Sequence, residues 1–362
     1  MKSKLQLGLL LLAFLGLSIA GYPQGVTTAA LKGRVVDTKG KPLFAATVLA
    51  VHTPTGTQYG TVTSADGLFY IRNMKIGGPY TVTVSSVGYK TEVIKDIYLD
   101  LNETKNIKVV LKESSVNIGE VVIKANKTGA INADRTGATT YIGHKAIQDM
   151  PTIKRSLKDI TKLTPQADGY SFGGQNDRYN NFSLDGSIFN NSFGLGDATP
   201  GGQTGAQPVS LDAIEQVQVS LAPFDVREGG FTGAGINAVT KSGTNTFKGS
   251  VYSFFRDKSM VGSRVGNLSV PNTDFNTQQY GVSLGGPIIK NKLFFFVNYE
   301  AENRKELAHN FVALNSSNAG QPNVTTVPED SIRMVQARLR DYWGYEPGAY
   351  QGYTHQKKNY KF

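Results

Sequence analysis

The spacing of apolar and polar positions divides this chain into successive regimes. Leu5–Ala20 is an apolar run behind Lys2 and Lys4 that ends in Ser18-Ile19-Ala20. Charge, then apolar stretch, then small residues predicts a secretory signal peptide at residues 1–20, and the run is short for a spanning anchor. From residue 30 to 113, short β-branched runs recur at Leu31–Val36, Ala45–Val51, Thr61–Thr63, Leu68–Ile71, Tyr80–Ser85 and Asn106–Leu111. Turn signals at Lys39-Gly40-Lys41-Pro42, Asp66-Gly67 and Gly77-Gly78-Pro79 separate them, which predicts a small antiparallel β-sandwich. Residues 114–138 read as a linker rich in Asn, Lys, Gly and Ala. One β-branched island, Gly119–Ala125, interrupts it.

Residues 139–246 are mixed. Thr152 can cap a helix over 152–163 whose Ile153, Leu157, Ile160 and Leu163 share one face, and Pro165 stops it. Lys154, Arg155, Lys158 and Lys162 then form its solvated face. Tyr170–Gly205 is rich in Gly, Asn, Ser and Phe, which suits long loops. From Phe247 the period becomes two. Gln278, Tyr280, Val282 and Leu284 alternate with Gln279, Gly281, Ser283 and Gly285. After Gly286–Lys292, Leu293, Phe295, Val297 and Tyr299 share a face. A soluble sandwich and an outer-membrane barrel both fit that alternation.

Composition narrows the chemistry. The 40 glycines, 17 tyrosines and 18 phenylalanines suit a β-rich chain with tight turns. With no cysteine, neither a disulfide framework nor a thiolate metal site is possible. His52, His144, His309 and His355 are scattered, so no histidine zinc motif forms, and no cofactor is expected. Asp168, Asp177 and Asp185 lack EF-hand spacing. The net charge of +10 is spread without a basic run, which predicts a solvated surface and no nucleic-acid partner.

The densest glycine segment lies within Leu211–Arg256. A Walker loop fails there because Thr240 precedes Lys241-Ser242, and GxGxxG fails because Ala238 stands at its last position. What remains is Ile214-Glu215-Gln216-Val217, glycine turns, then Gly235-Ile236-Asn237-Ala238-Val239-Thr240-Lys241-Ser242-Gly243. This series resembles the end of the plug of a TonB-dependent outer-membrane receptor, with Phe247-Lys248-Gly249-Ser250 opening its β-barrel. Phe182-Ser183-Leu184-Asp185-Gly186 fits the same plug. Thr240–Asn245 and Gly285-Gly286-Pro287 are most similar to the Oar-like branch. Within 30–113, Gly33-Arg34-Val35-Val36-Asp37, Lys41-Pro42-Leu43, Ala46-Thr47-Val48, Ser64-Ala65-Asp66-Gly67 and Val87-Gly88-Tyr89 resemble the carboxypeptidase-regulatory-like domain.

These resemblances imply a mainly β protein: a regulatory-like (prealbumin-like) β-sandwich at 30–113, an α+β plug at 139–246, and the first strands of a transmembrane antiparallel β-barrel at 247–362. They imply an outer-membrane location with the N-terminal domain and plug on the periplasmic side. They also imply uptake of an unidentified small or oligomeric ligand, energised by TonB and its inner-membrane complex, with no enzymatic step. Glu120, Val121, Val122 and Ile123 are candidates for TonB contact, since an extended segment can add a strand to a partner's sheet. Val121–Ile123 reads equally as the first plug strand or as a strand packed on the preceding domain. Tyr170, Asn176, Arg178 and Asp185 are candidate ligand-facing plug residues. Residues 257–276 and 302–356 are expected as outer loops, the second with a helix over Ser331–Trp343, and the turn near Pro287 as periplasmic. Three complete strands cannot close a barrel, so the resemblance implies the N-terminal portion of a longer receptor. The alternative is a secreted or surface-attached adhesion protein whose sandwich binds glycan or protein. Tyr70, Tyr80 and Tyr89 could stack on sugars there, or pack in the core. A zinc carboxypeptidase lacks its ligands.

Overall fold

The computed structural model describes residues 26–114, 121–124, 138–191, 199–200, 202, 205–223, 228–269, 273–309, 311–321 and 323–362. The expected signal peptide and Glu120 lie outside them. The chain forms two compact units, one running to Lys248 with Gly285–Phe296, the other comprising Gly249–Leu284 and Val297–Phe362.

The first unit opens with a sandwich of β1 (Thr28–Asp37), β2 (Thr47–His52), β3 (Thr57–Val62), β4 (Leu68–Lys75), β5 (Gly77–Ser85), β6 (Glu92–Leu99) and β7 (Thr104–Leu111). One sheet has the order β4-β1-β7. The other is β3-β2-β5-β6, extended by β8 (Val121–Lys124). Inward positions recur every second residue, so Leu31, Val35, Val48, Ala50, Tyr80, Val82 and Val84 meet in one core. The turn after β1 is closed by the Asp37 carboxylate, which accepts the amides of Lys39 and Lys41 at 2.8 Å each.

Three sequence expectations change. The sandwich is not wholly antiparallel, because β1 and β7 run parallel from Ala30↔Thr104 to Asp37↔Leu111. The strand β6 was invisible to a period-two reading: Lys95 and Asp96 are both exposed, and Asp96 takes φ +63°. That irregularity breaks the alternation, although Val93, Ile94, Ile97 and Leu99 are buried. The run Gly77-Gly78-Pro79, expected as a turn, instead opens β5.

A second sheet follows, built from β9 (Thr139–Gly143), β12 (Asn181–Leu184), β13 (Ser187–Ile188), β14 (Ile214–Ser220) and β15 (Gly235–Thr240), in the order β13-β12-β15-β14-β9. A small hairpin, β10 (Ala167–Asp168) with β11 (Ser171–Phe172), lies between its strands in sequence. Only β12 and β15 pair in parallel. Short helices at His144–Asp149 and Leu157–Thr161 supply Ile147, Leu157 and Ile160 to a core with Phe172, Phe182, Val217, Val219 and Ile236.

The helix expected over 152–163 is therefore shorter, and Thr152 is not its cap. The Asp159 carboxylate accepts the amides of Lys154 (3.1 Å) and Ser156 (3.4 Å), which sets the start at Leu157. Arg155 adopts φ +48°, so the helical period is broken before it, and Ile153 is left 67% exposed.

The remaining strands are β16 (Lys248–Asp257), β19 (Phe275–Ile289), β20 (Leu293–Leu307) and β23 (Thr354–Lys361), in one sheet of order β16-β19-β20-β23. A short hairpin of β17 (Arg264–Val265) with β18 (Leu268–Ser269), and a parallel pair of β21 (Val312–Leu314) with β22 (Val324–Pro328), occupy the connections. Pro287 sits inside β19, and the tight turn comes at Lys290–Lys292, where Asn291 takes φ +63°. The expected loop helix is present as Glu329–Trp343, ended by Gly344 at φ +59°.

Candidate functional site

The second unit has an inverted surface. On β19, Tyr280, Val282 and Leu284 are 49%, 44% and 47% exposed, while Gln279 and Ser283 are buried. The same inversion holds in its neighbours. Val251 and Phe255 on β16, Val297 on β20 and Tyr360 on β23 point outward, and Glu300 and Lys361 are buried. The inner face is tied by polar contacts: Tyr252 Oη donates to Glu300 Oε2 at 2.5 Å, the Ser250 and Ser283 hydroxyls are 2.7 Å apart, and the Lys361 ammonium pairs with Glu300. A water-facing sheet would reverse this arrangement. Apolar side chains outward and hydrogen-bonded polar ones inward is the alternation of a membrane barrel wall.

At one end of the wall strands, a cavity of about 920 Å³ is lined by Asp257, Lys258, Asp274, Phe275, Lys305 and Thr354, among others. Lys258 Nζ pairs with Asp274 Oδ1 at 2.8 Å, and the Arg256 guanidinium lies 5.0 Å from the Phe275 ring centre. In the connection between β20 and β23, Glu329 accepts hydrogen bonds from Asn315 Nδ2 (3.0 Å), Arg333 Nη2 (2.6 Å) and Tyr350 Oη (2.8 Å). Those donors, the Asn315 amide foremost, hold its carboxyl down to about 2.

In the first unit, the four plug-residue candidates are not brought together. Tyr170 is 3% exposed and belongs to the core: its carbonyl accepts from Asn180 Nδ2 at 2.5 Å, and Lys158 Nζ lies 4.9 Å from its ring centre. As a ligand-facing residue it is corrected. Its ring packs in that core. Asn176 and Arg178 are exposed just before β12, where Asn176 Oδ1 accepts from the Arg178 amide (3.1 Å) and Nε (3.2 Å). Asp185 stands at the opposite end of that strand. Its carboxylate accepts from the Thr240 amide and hydroxyl, both at 2.8 Å, and thereby closes the end of β15.

Val121, Val122 and Ile123 form β8, which pairs in parallel with Glu92, Val93 and Ile94 of β6 at a sheet edge. Of the two readings left open for this island, a strand laid on the preceding domain is the one observed.

A polar seam within the first unit escaped sequence reasoning. Leu101 N donates to Gln216 Oε1 (3.1 Å), Gln216 Nε2 donates to Asp100 Oδ1 (2.9 Å), and Asn102 Nδ2 donates to Glu228 Oε1 (2.7 Å). The Lys75 ammonium meets the Ser242 hydroxyl. Desolvation lowers the Lys75 pKa, and the nearby Glu215 carboxylate opposes that. His144 is also pushed down, by burial first and then by Lys241. The available signal was the alternation of Gln216 and Gln218 with Val217 and Val219 in β14.

Among the described residues, no group of three His, Asp or Glu is placed to hold a metal ion. Comparison with known proteins agrees with the wall and the sandwich. The family described as carboxypeptidase regulatory-like domain matches residues 30–112, and that described as outer membrane beta barrel domain matches 239–341. The TonB-dependent transporter Oar of Myxococcus xanthus is 28% identical over 287 residues, covering 74% of this chain and 26% of the relative. Over 74% of its length, this chain is thus similar to a TonB-dependent receptor. The TonB-dependent receptor SusC of Bacteroides thetaiotaomicron is 32% identical over 132 residues, 34% of this chain and 12% of the relative. Among solved structures, the outer membrane transporter YddB from Escherichia coli aligns at TM-score 0.35 and 14% identity, covering 49% of this chain and 27% of that one. The chain spans about a quarter of the length of its Oar relative. Its place is the outer membrane.

Proposed function

We propose that this receptor chain supplies the periplasmic sandwich, the plug and the first wall strands of an outer-membrane importer whose ligand movement is driven through TonB. The observation that carries the reading is the inverted exposure of β19, the alternation that a lipid-facing wall requires. Residues 1–20 act as the export signal, 139–246 as the plug and 247 onward as the wall. The tight turn at 290–292 faces the periplasm, and the connections at 258–274 and 308–353 face outward. The ligand is small or oligomeric, and Asn176 and Arg178 are the plug residues that contact it. Asp185, bonded to Thr240, lies at the opposite end of β12 and holds the plug together. TonB takes Glu120–Ile123 by strand addition, for which β8 must leave β6.

The test is in-cell disulfide trapping of Val122→Cys against TonB carrying single cysteines, in a chain that has no cysteine of its own. A register-specific cross-link that disappears on deletion of 120–123 is expected. Equal trapping at Val122 and at a distant control such as Thr38 would sink the proposed contact.

A further inference from the structure

The sheet of β9, β12, β14 and β15 has a second face, and it is polar. Val217 and Val219 of β14 enter the sheet's own core, while Gln216 and Gln218 on the other side are 4% and 2% exposed. Gln218 stands opposite Asn237 of β15, and Gln216 opposite Val239. The sandwich covers this face. The Asp100–Asn102 turn bonds to Gln216 and Glu228, Glu228 Oε1 also accepts from Gln218 Nε2 (3.1 Å), Asn237 Nδ2 donates to the Val26 carbonyl (2.6 Å), and Val239 packs on the sandwich core.

Such a seam is easily opened. Its hydrogen bonds can be exchanged for bonds to water at little net cost, unlike a buried apolar contact. Two atoms favour opening outright: Gln218 Oε1 and Ser220 Oγ are buried without a hydrogen bond from the described residues. The seam is also wired to the linker. The strand β6 pairs with β8 through Glu92–Lys95, and its far end leads directly into Asp100.

We infer that the Asp100–Asn102 turn and the Gln216–Glu228 pair form a latch. The sandwich sits on the plug sheet as a removable cover and comes off as a folded unit when β8 is pulled from β6. The inference rests on the energised-uptake reading for its trigger, and on the seam alone for its existence. In the closed state the polar face of β14 is sealed. In the open state it is hydrated, and the sandwich no longer braces the plug.

The test uses the full chain with Val239→Cys as the single thiol, labelled by a small polar maleimide after purification in detergent. Adding Asp100→Ala and Glu228→Ala is expected to raise the labelling rate at least tenfold, with amide exchange in β2 and β5 unchanged. Glu228→Gln alone keeps the acceptor oxygen and should label at the parent rate. An unchanged rate in the double-alanine variant overturns the latch. So does a faster rate accompanied by lost protection in β2 and β5, since the sandwich would then unfold rather than undock. Labelling in cells with and without a protonophore separates the two readings. A fast double variant with protonophore-insensitive parent labelling keeps the latch and removes the energised trigger.

Discussion

His52 shows how one residue's environment sets a pH limit. It is buried on β2, with Nδ1 2.7 Å from Thr55 Oγ1 and its ring 4.9 Å from that of Tyr80. Desolvation, assisted by the nearby Lys75 charge, lowers its pKa from 6.5 to about 4. The unfolded chain therefore binds more protons than the folded one between those two values. Stability from this group is complete above pH 6.5 and is lost as pH falls towards 4, by at most about 3 kcal/mol. Urea unfolding of the sandwich at pH 7 and pH 4.5 should show that loss, and His52→Gln should flatten it. Equal pH dependence in the two proteins would reject His52 as the group responsible. Its role was closed to sequence inspection, because a lone histidine in a β-branched run says nothing about its desolvation. Tyr170 makes the same point from the other side: expected to face a ligand because the resemblance placed it in a plug loop, it is core.

At the scale of elements, β19 was legible in its period and ambiguous in its meaning. The alternation Tyr280, Val282, Leu284 against Gln279 and Ser283 reads the same whether the apolar side faces a core or lipid. Exposure decided it, since the apolar side is the open one. Val282→Asp should therefore cost about 2 kcal/mol of membrane insertion if the site lies near the bilayer midplane. Outer-membrane fractionation of the expressed chain would show a reduced membrane-bound share, with Ser283→Asp as the inward-facing comparison. A greater loss for Ser283→Asp would contradict the lipid-facing assignment. The elements missed were those whose local rules conflict. The left-handed Asp96 broke the β6 pattern, and the Asp159 cap moved the start of the Leu157–Thr161 helix past Thr152.

For the molecule as a whole, the first unit contains two separate apolar cores. One centres on Leu31, Val48 and Tyr80, the other on Phe172, Phe182 and Val217. Separate cores joined by a hydrogen-bonded seam predict two partly independent unfolding events. Phe182→Ala, at a fully buried position, should destabilise the second by about 3–5 kcal/mol and leave the sandwich largely unmoved. Exchange protection of β5 followed beside that of β14 would report this, and equal losses in both strands would mean a single cooperative block.

Sequence alone determined the sandwich, the glycine-rich passage into the wall strands, the loop helix and the exclusion of thiolate chemistry. Each of these is carried by local pattern or by residue type. Tertiary structure alone decided which face of β19 is open, that Asn176 with Arg178 and Asp185 occupy opposite ends of a strand, that β8 lies on β6, and that Gln216 and Gln218 sit beneath the sandwich. The physical reason is that period and propensity describe a residue's own strand, whereas burial and hydrogen-bond partnership are properties of residues a hundred positions apart in the chain, as with the Leu101 amide and Gln216.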